Sequence, residues 1–351
     1  VSDSPLDQPG DVRGEDAFET AKVDAFLKDQ IELTGEPKLR QFPGGASNLT
    51  YQLSYPGREL ILRRPPGGEL PKSGHDMKRE FNVQSRLATV FPYVPKMIAF
   101  CDDKSLIGTD FYVMEKVPGL ILRKNLPSGM TLSPEAARKL SEAWVDRLAD
   151  LHNVDPAAAQ LGRLGKGEGY VERQIDGWTK RYQAARTRNV PSFTKVARWL
   201  EVHRPPDSGN CIIHNDWRLD NVVLDPDDPT RIVAVLDWEM TTLGDPLMDL
   251  GVALSYWIEA GERGLAEQFR MQPSNLPGML TRKEIVARYA AQRGIEIDDF
   301  RFYEVYGHFR LAGIIQQIYK RYREGATTNP RFKNFWLATW YLHRRAKQAM
   351  R

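Results

Sequence analysis

Cysteine is scarce: the 351-residue chain holds only Cys101 and Cys211. Two such distant thiols argue against a disulfide scaffold and a clustered zinc site, and point to a reducing compartment. No stretch approaches the roughly 18 apolar residues that a membrane span requires. Residues 1–20 carry Asp3, Asp7, Asp11, Glu15 and Asp16 and no apolar signal core, so a cytoplasmic protein without a membrane partner is expected. No G-x-S-x-G elbow, H-E-x-x-H pair or C-x-x-C occurs, and the six histidines are dispersed, which disfavours the commonest hydrolase and zinc-site chemistries. Internal repeats and low-complexity linkers are missing too. The formal net charge of +3 is too small to imply nucleic acid, and no basic-and-aromatic pattern accompanies it.

What is present is an ordinary globular composition, 41% hydrophobic and 27% charged, in a chain long enough for two lobes. Charge is unevenly spread: residues 118–351 hold 34 Lys and Arg against 28 Asp and Glu, whereas the first 117 hold 15 against 18. The acidic, Pro- and Gly-bearing start, DSPLDQPGDVRGED, reads as a loose arm, followed by a helix through Phe18, Phe26, Leu27 and Ile31. Runs at 38–42, 49–55 and 59–64, separated by the turn signals GGAS and PG, predict an antiparallel meander. A helix at 75–90 and strands near 98–101 and 111–117 complete a small sheet-rich lobe that ends at Pro118-Gly119. Amphipathic helices follow at about 133–153, 168–186, 192–203, 245–260, 281–293, 298–323 and 332–349. The fourth has a clear start, Asp245 as N-cap with Pro246 behind it. The expected fold is α+β and bilobal, with residues 1–117 as arm and N-lobe and 118–351 as a larger, mainly helical C-lobe. Arg321, Arg323, Arg344 and Arg345 read as the solvated face of C-terminal helices.

The stretch CIIHNDWRLDNVVLD, 211–225, sets eight polar-rich residues between two short apolar runs that read as buried strands, so the loop is held at both ends. Its pattern His-x-Asp-x-x-x-x-Asn is expected by chance about 0.013 times in a scrambled chain of this composition, so coincidence is a poor account. The bland alternative is a tight turn in which Asp and Asn bond their own backbone. Asp237 weakens that alternative, because it follows a second apolar run, Ile232 to Leu236, and a strand end can deliver its carboxylate beside the loop. Asp237 and Asn221 with water would make the kind of oxygen site magnesium prefers: few protein ligands, and room for phosphates. That leaves Asp216 to accept or orient the proton of an attacking hydroxyl, the arrangement phosphoryl transfer requires.

HNDWRLDN and VLDWEMTTLGDPLMDLG together resemble the aminoglycoside phosphotransferase and choline kinase family of protein-kinase-like enzymes, and the order of elements from about residue 20 onward is similar. The resemblance implies a protein-kinase-like fold using ATP and Mg2+, with Asp216 as catalytic base, Asn221 and Asp237 as magnesium ligands, and His214 and Asp249 bracing the loop. Arg218 stands where protein kinases carry a lysine facing the transferred phosphate. Asp220 stands where the family often has glycine, and no role is assigned to it.

In the first lobe, alternation along the third strand puts Ile61 and Arg63 on one face and Leu62 and Arg64 on the other. Glu80 falls in or beside the apolar stripe of Met77, Val83 and Leu87. A carboxylate there wants a cation, and Arg63 is the natural partner; the alternative is a solvated Glu80 at the stripe's edge. The first turn, GGASNLTY, departs from the kinase G-x-G-x-x-G, although Gly44, Gly45, Ser47 and Asn48 could present donors to phosphate, or simply form a hairpin turn. By resemblance, FYVMEKVPG connects the lobes, and backbone groups of Glu115 and Val117 bond adenine.

The resulting expectation is an ATP- and magnesium-dependent phosphotransferase acting on a hydroxyl of a small molecule. The net positive C-lobe disfavours polycationic aminoglycosides and favours an anionic acceptor. LILRRPPGGELPKSGHDMKRE also resembles the kinase-like domains fused to acyl-CoA dehydrogenases, which implies a hydroxyacyl-CoA or related hydroxy acid. Two alternatives stay open: a catalytically silent nucleotide-binding module of the same fold, and a metal-dependent hydrolase using His214 and Asp216 as ligands.

Overall fold

The structure, a computed structural model, describes residues 8–43, 48–66 and 76–351. In chain order its elements begin with α1 (Thr20–Lys28), β1 (Lys38–Gln41), β2 (Leu49–Tyr55), β3 (Arg58–Arg64), α2 (Met77–Leu87), β4 (Met97–Cys101), α3 (Lys104–Ile107) and β5 (Phe111–Glu115). They continue with α4 (Pro134–Asn153), α5 (Tyr170–Ala185), α6 (Thr194–Val202), β6 (Cys211–Ile213), β7 (Val222–Leu224), β8 (Ile232–Val235) and β9 (Thr242–Gly244). The last are α7 (Pro246–Ser255), α8 (Leu265–Phe269), α9 (Arg282–Arg293), α10 (Arg301–Arg323) and α11 (Phe335–Ala349). Two compact units result: one of residues 1–121, 222–228 and 232–240, the other of 122–221, 229–231 and 241–351. The segments around β7 and β8, read from sequence as part of the second lobe, thus belong to the first unit.

The first unit is built on a sheet of order β1-β2-β3-β5-β4, antiparallel throughout, with Ile61 opposite Gln52 on one side and Met114 on the other. Alternation divides its core. Leu60 and Leu62 of β3 join Leu53, Phe111, Val113 and the α1 residues Val23 and Leu27 on one face. Ile61 joins Met77 of α2, Tyr112 and Met114 on the other. The α2 helix starts because the Asp76 side chain accepts from the Arg79 N–H at 2.9 Å. The β7–β8 hairpin is tied in by two backbone bonds between Leu120 and Leu224, at 2.9 and 2.8 Å.

From residue 8 the expected loose arm is instead packed on the sheet. Gly10 exchanges two 2.9 Å backbone bonds with Gln41. Asp16 is buried, takes a 2.8 Å bond from the Gln41 amide, and through its carbonyl accepts from Tyr51 Oη (2.8 Å) and Arg64 Nη2 (2.7 Å). The acidic, Pro- and Gly-bearing composition reads as a loose arm, but these polar groups are the ones the buried Gln41, Tyr51 and Arg64 need as partners.

In the second unit α10 is the central helix, packed by α5, α7 and α11. Glycine makes the α7–α10 approach feasible: a Cβ on Gly307 would stand 2.0 Å from the Gly251 carbonyl oxygen, and one on Gly251 2.3 Å from that of Tyr303. Helix starts follow local chemistry. Ser133 caps α4 and Asp245 caps α7, each before a proline, and Thr281 and Glu284 form a reciprocal box at α9. Helix α7 ends at Ser255, five residues short of the expected boundary. Arg345 is not on a solvated face: it pairs with Glu262 and lies 3.9 Å from Glu304. No helix among the described residues is long and apolar enough to cross a membrane.

Candidate functional site

In the second unit the His-x-Asp-x-x-x-x-Asn loop leaves β6, which pairs with β9 through Cys211 opposite Gly244 and Ile213 opposite Thr242. Asp249, one turn into α7 and 1% exposed, is the anchor. Its carboxylate accepts from the His214 N–H (2.8 Å), the Asn215 N–H (2.8 Å) and His152 Nε2 (3.1 Å). Burial works against that charge, but the bonds from His152 and His214 outweigh it and hold the carboxyl below its usual range. Burial lowers the pKa of His152 and so favours its neutral form; with Nε2 donating to Asp249, Nδ1 is left to accept from Tyr289 Oη at 2.6 Å. Asn215 adopts φ +68°, a left-handed conformation that Asn tolerates better than most residues, and is held there by Arg310 Nη1 on its carbonyl at 2.9 Å. His214 is fully buried and accepts the Asp216 N–H on Nδ1 at 3.2 Å.

Asp216 is part-exposed. Asn221 donates through Nδ2 to its carbonyl (2.9 Å) and to its Oδ2 (3.0 Å). The Asn221 Oδ1 accepts no hydrogen bond among the described residues, so an oxygen is left for a cation. Arg218 Nε lies 3.4 Å from Asp216 and 3.1 Å from Asp220, with its guanidinium over the Tyr256 ring at 5.1 Å. Asp220, to which sequence assigned nothing, is buried; burial lifts its carboxyl while Arg218 pulls it down.

In the first unit Arg63 is the hub. Its Nη1 bonds Glu80 at 2.6 Å, and its Nη2 lies 3.3 Å from Asp237 and 4.0 Å from Glu239. Glu80 is 2% exposed and so is the buried partner rather than the solvated alternative. Burial raises its carboxyl against the pull of Arg63, and Tyr112 Oη donates to it at 2.8 Å. Glu80 Oε2 and Arg63 Nε are buried with no hydrogen-bond partner among the described residues, as expected of a pair held in place for something besides its own stability. Asp237 follows β8 at φ +69°, in the same uncommon left-handed region as Asn215.

Asn48 is buried and donates to Glu239 Oε2 at 3.1 Å. Ser47, with Gly44 and Gly45, lies outside the described residues. The Glu115 N–H donates to Lys96 O at 2.8 Å and the Lys116 N–H to Glu59 O at 3.1 Å, whereas the Val117 N–H has no protein partner among the described residues.

No cluster of three or more His, Cys, Asp or Glu suited to a metal occurs among the described residues. Magnesium, satisfied by one or two carboxylate or amide oxygens plus water, does not need one. Arg63, Glu80 and Asp237 are therefore together in the first unit, and His214, Asp216, Arg218 and Asn221 in the second. Sequence reasoning missed Tyr112, Glu239 and Arg310. Glu239 stood inside the quoted VLDWEM, and Arg310 was visible only as a charge in the apolar stretch FRLAGII.

The profile of the phosphotransferase enzyme family (APH) matches residues 38–284. Acyl-CoA dehydrogenase family member 10 of Mus musculus is 37% identical over 311 residues, 88% of this chain and 29% of that protein. Member 11 of Homo sapiens is 36% identical over 318 residues, 88% of this chain and 40% of that protein. The chain thus spans well under half the length of these curated relatives. A Ralstonia eutropha protein provisionally named an aminoglycoside phosphotransferase is 32% identical, with a TM-score of 0.81 over 95% of this chain and 98% of that one. Choline kinase of Cryptosporidium parvum, 11% identical with a TM-score of 0.62 over 94% and 96%, shares the fold. The α+β, protein-kinase-like fold expected from the sequence is the one observed. With a family profile over most of its length and relatives above 30% identity, the chain belongs to the phosphotransferase enzyme family.

Proposed function

We propose that this chain transfers the γ-phosphate of ATP to a hydroxyl group of a small, anionic molecule in the cytoplasm. The observation that carries the reading is the Asp216–Asn221 pair. Asn221 uses its amide N–H groups to fix the Asp216 carbonyl and carboxylate, and keeps an oxygen for a cation. Asp216 takes the proton of the attacking hydroxyl, and Arg218, 3.4 Å away, offers positive charge to the transferred phosphate. Arg63, set by Glu80, contacts the phosphates of the nucleotide; Asn48 and Ser47 supply further donors, and the backbone of Glu115 and Val117 receives the base. Asn221 and Asp237 are the proposed magnesium ligands, and the bound ion would supply charge neutralisation at the phosphates. His214 holds the loop rather than the metal, because its Nδ1 already accepts the Asp216 N–H; this disfavours a hydrolase with His214 and Asp216 as ligands.

The names of the curated relatives favour an acyl-CoA-related acceptor, a hydroxyacyl-CoA or the corresponding hydroxy acid. Screening hydroxylated acids, acyl-CoA thioesters and cationic amines for ATP-dependent phosphorylation tests this directly. Asp216→Asn is expected to lower the rate by roughly 10²–10⁴ while leaving calorimetric ATP–Mg2+ binding in place. Turnover surviving intact in Asp216→Asn would refute the assignment of the base. Nucleotide binding without transfer to any acceptor would favour a silent module.

A further inference from the structure

Arg310 is 3% exposed, yet no carboxylate lies within 4.0 Å of its guanidinium among the described residues, and its single protein hydrogen bond goes to the Asn215 carbonyl. A buried charge normally has a counter-charge, because desolvating it alone is costly. Here a second guanidinium is placed near it instead. Arg181 stacks on the Trp178 indole at 4.1 Å, and Arg310 lies 5.5 Å from the same ring. Arg181 is exposed, yet desolvation by its surroundings, and Arg310 beside it, lower its pKa. The indole lies close against α10, since a Cβ on Gly313 would meet it at 2.8 Å.

Donors surround this pair. Tyr306, one turn before Arg310, is 1% exposed, and among the described residues its hydroxyl has no hydrogen-bond partner and the Trp178 N–H, beside it, has none of acceptable geometry. Tyr170 Oη is already engaged with Asn215 Oδ1 at 3.3 Å. Asp216 is among the charges that act on Arg310, and Asn215, which Arg310 holds, is its neighbour in sequence. Tyr306 and Arg310 also lie beyond residue 284, where the family profile stops.

We propose that Arg310, Arg181 and the Tyr306 hydroxyl form an anion-binding subsite beside Asp216, which receives a carboxylate or phosphate group of the acceptor. Guanidinium forks and a phenolic O–H match an oxyanion in geometry and charge, and two unpaired cations repel an ammonium group. The subsite deepens the proposed function and rests on Asp216 acting on a hydroxyl bound next to it.

The test is thermal unfolding of the whole chain without nucleotide, titrated in separate arms with inorganic phosphate, glycolate and choline. Phosphate, glycolate or both should raise the midpoint by about 3–6 °C at ten times the dissociation constant, and choline should not. The arm that responds identifies the anion. Arg181→Glu and Tyr306→Phe should each weaken that binding at least tenfold, while ATP–Mg2+ affinity is unchanged. If Arg310 only positions the loop, neither variant will move the anion affinity, and the proposal falls. It falls also if choline protects as well as the anions do. Anion protection abolished by both variants in a protein that phosphorylates nothing would sink the enzymatic reading and leave the subsite standing. Phosphorylation of a cationic acceptor, undiminished by Arg181→Glu, would do the reverse.

Discussion

Replacing Glu80 by leucine removes one half of a pair that is almost wholly out of water: the two side chains are 2% and 12% exposed. Arg63 would keep only Asp237 at 3.3 Å and Glu239 at 4.0 Å, and the buried Tyr112 hydroxyl would lose its 2.8 Å acceptor. Breaking a buried pair from one side costs about 3–5 kcal/mol, and the two remaining carboxylates favour the lower end. For a unit between the 100- and 150-residue classes, about 3 kcal/mol corresponds to a midpoint lower by roughly 9–15 °C. Differential scanning calorimetry of the nucleotide-free protein reads this directly. The double variant Arg63→Met with Glu80→Leu should recover most of the loss, because the surviving charge, not the missing contact, is what destabilises. ATP affinity should not recover with it, since Arg63 is then absent. A midpoint change under about 3 °C for Glu80→Leu would refute the reasoning. So would a double variant less stable than the single.

Two further outcomes follow from the second unit. Gly307→Ala puts a methyl group 2.0 Å from the Gly251 carbonyl, a clash between two helix backbones that no rotamer relieves, so a loss of about 3 kcal/mol or more is expected in denaturant titration. Glu262 accepts from the Arg282 side chain at 2.9 Å and pairs with Arg345, and its pKa is lowered to about 2 despite partial burial. A depressed carboxyl stabilises above its unfolded value near 4.5 and loses that contribution as pH falls toward about 2. The midpoint gap between wild type and Glu262→Gln should therefore be widest above pH 5 and close by about pH 2–3; a gap independent of pH would count against the assignment.

Much of the sheet was legible because alternation along β2 and β3 is a local property, and turn residues mark both ends of each strand. Glu80 was legible for a similar reason: a carboxylate in an apolar helical stripe announces a partner. The loop from His214 to Asn221 was visible as a pattern, and Asp249 as its brace by resemblance. What holds the rest was not. Arg310 reaches Asn215 across 95 residues, and Gln272 accepts the Leu219 N–H at 2.7 Å from a segment with no periodicity. Such pairings depend on which helix faces meet, which no single-segment pattern encodes. The packing of residues 8–16 was misread because composition counts polar groups without knowing that Gln41 and Arg64 wait for them. The short β9, which was not read from the sequence, owes its pairing to β6 and not to its own propensity.

Asp249 accepts the His214 and Asn215 amides while Asp245, the N-cap of the same helix, accepts those of Met248 and Ser208. Helix α7 and the loop therefore share a single hydrogen-bonded frame. In terms of hydrogen exchange, the two loop amides cannot open by local fraying, because releasing them strands a buried carboxylate. They are expected to exchange only with the cooperative unfolding of α7, which would place this loop in the slowest-exchanging fabric of its unit, although its one regular element is the 3-10 turn Leu219–Asn221.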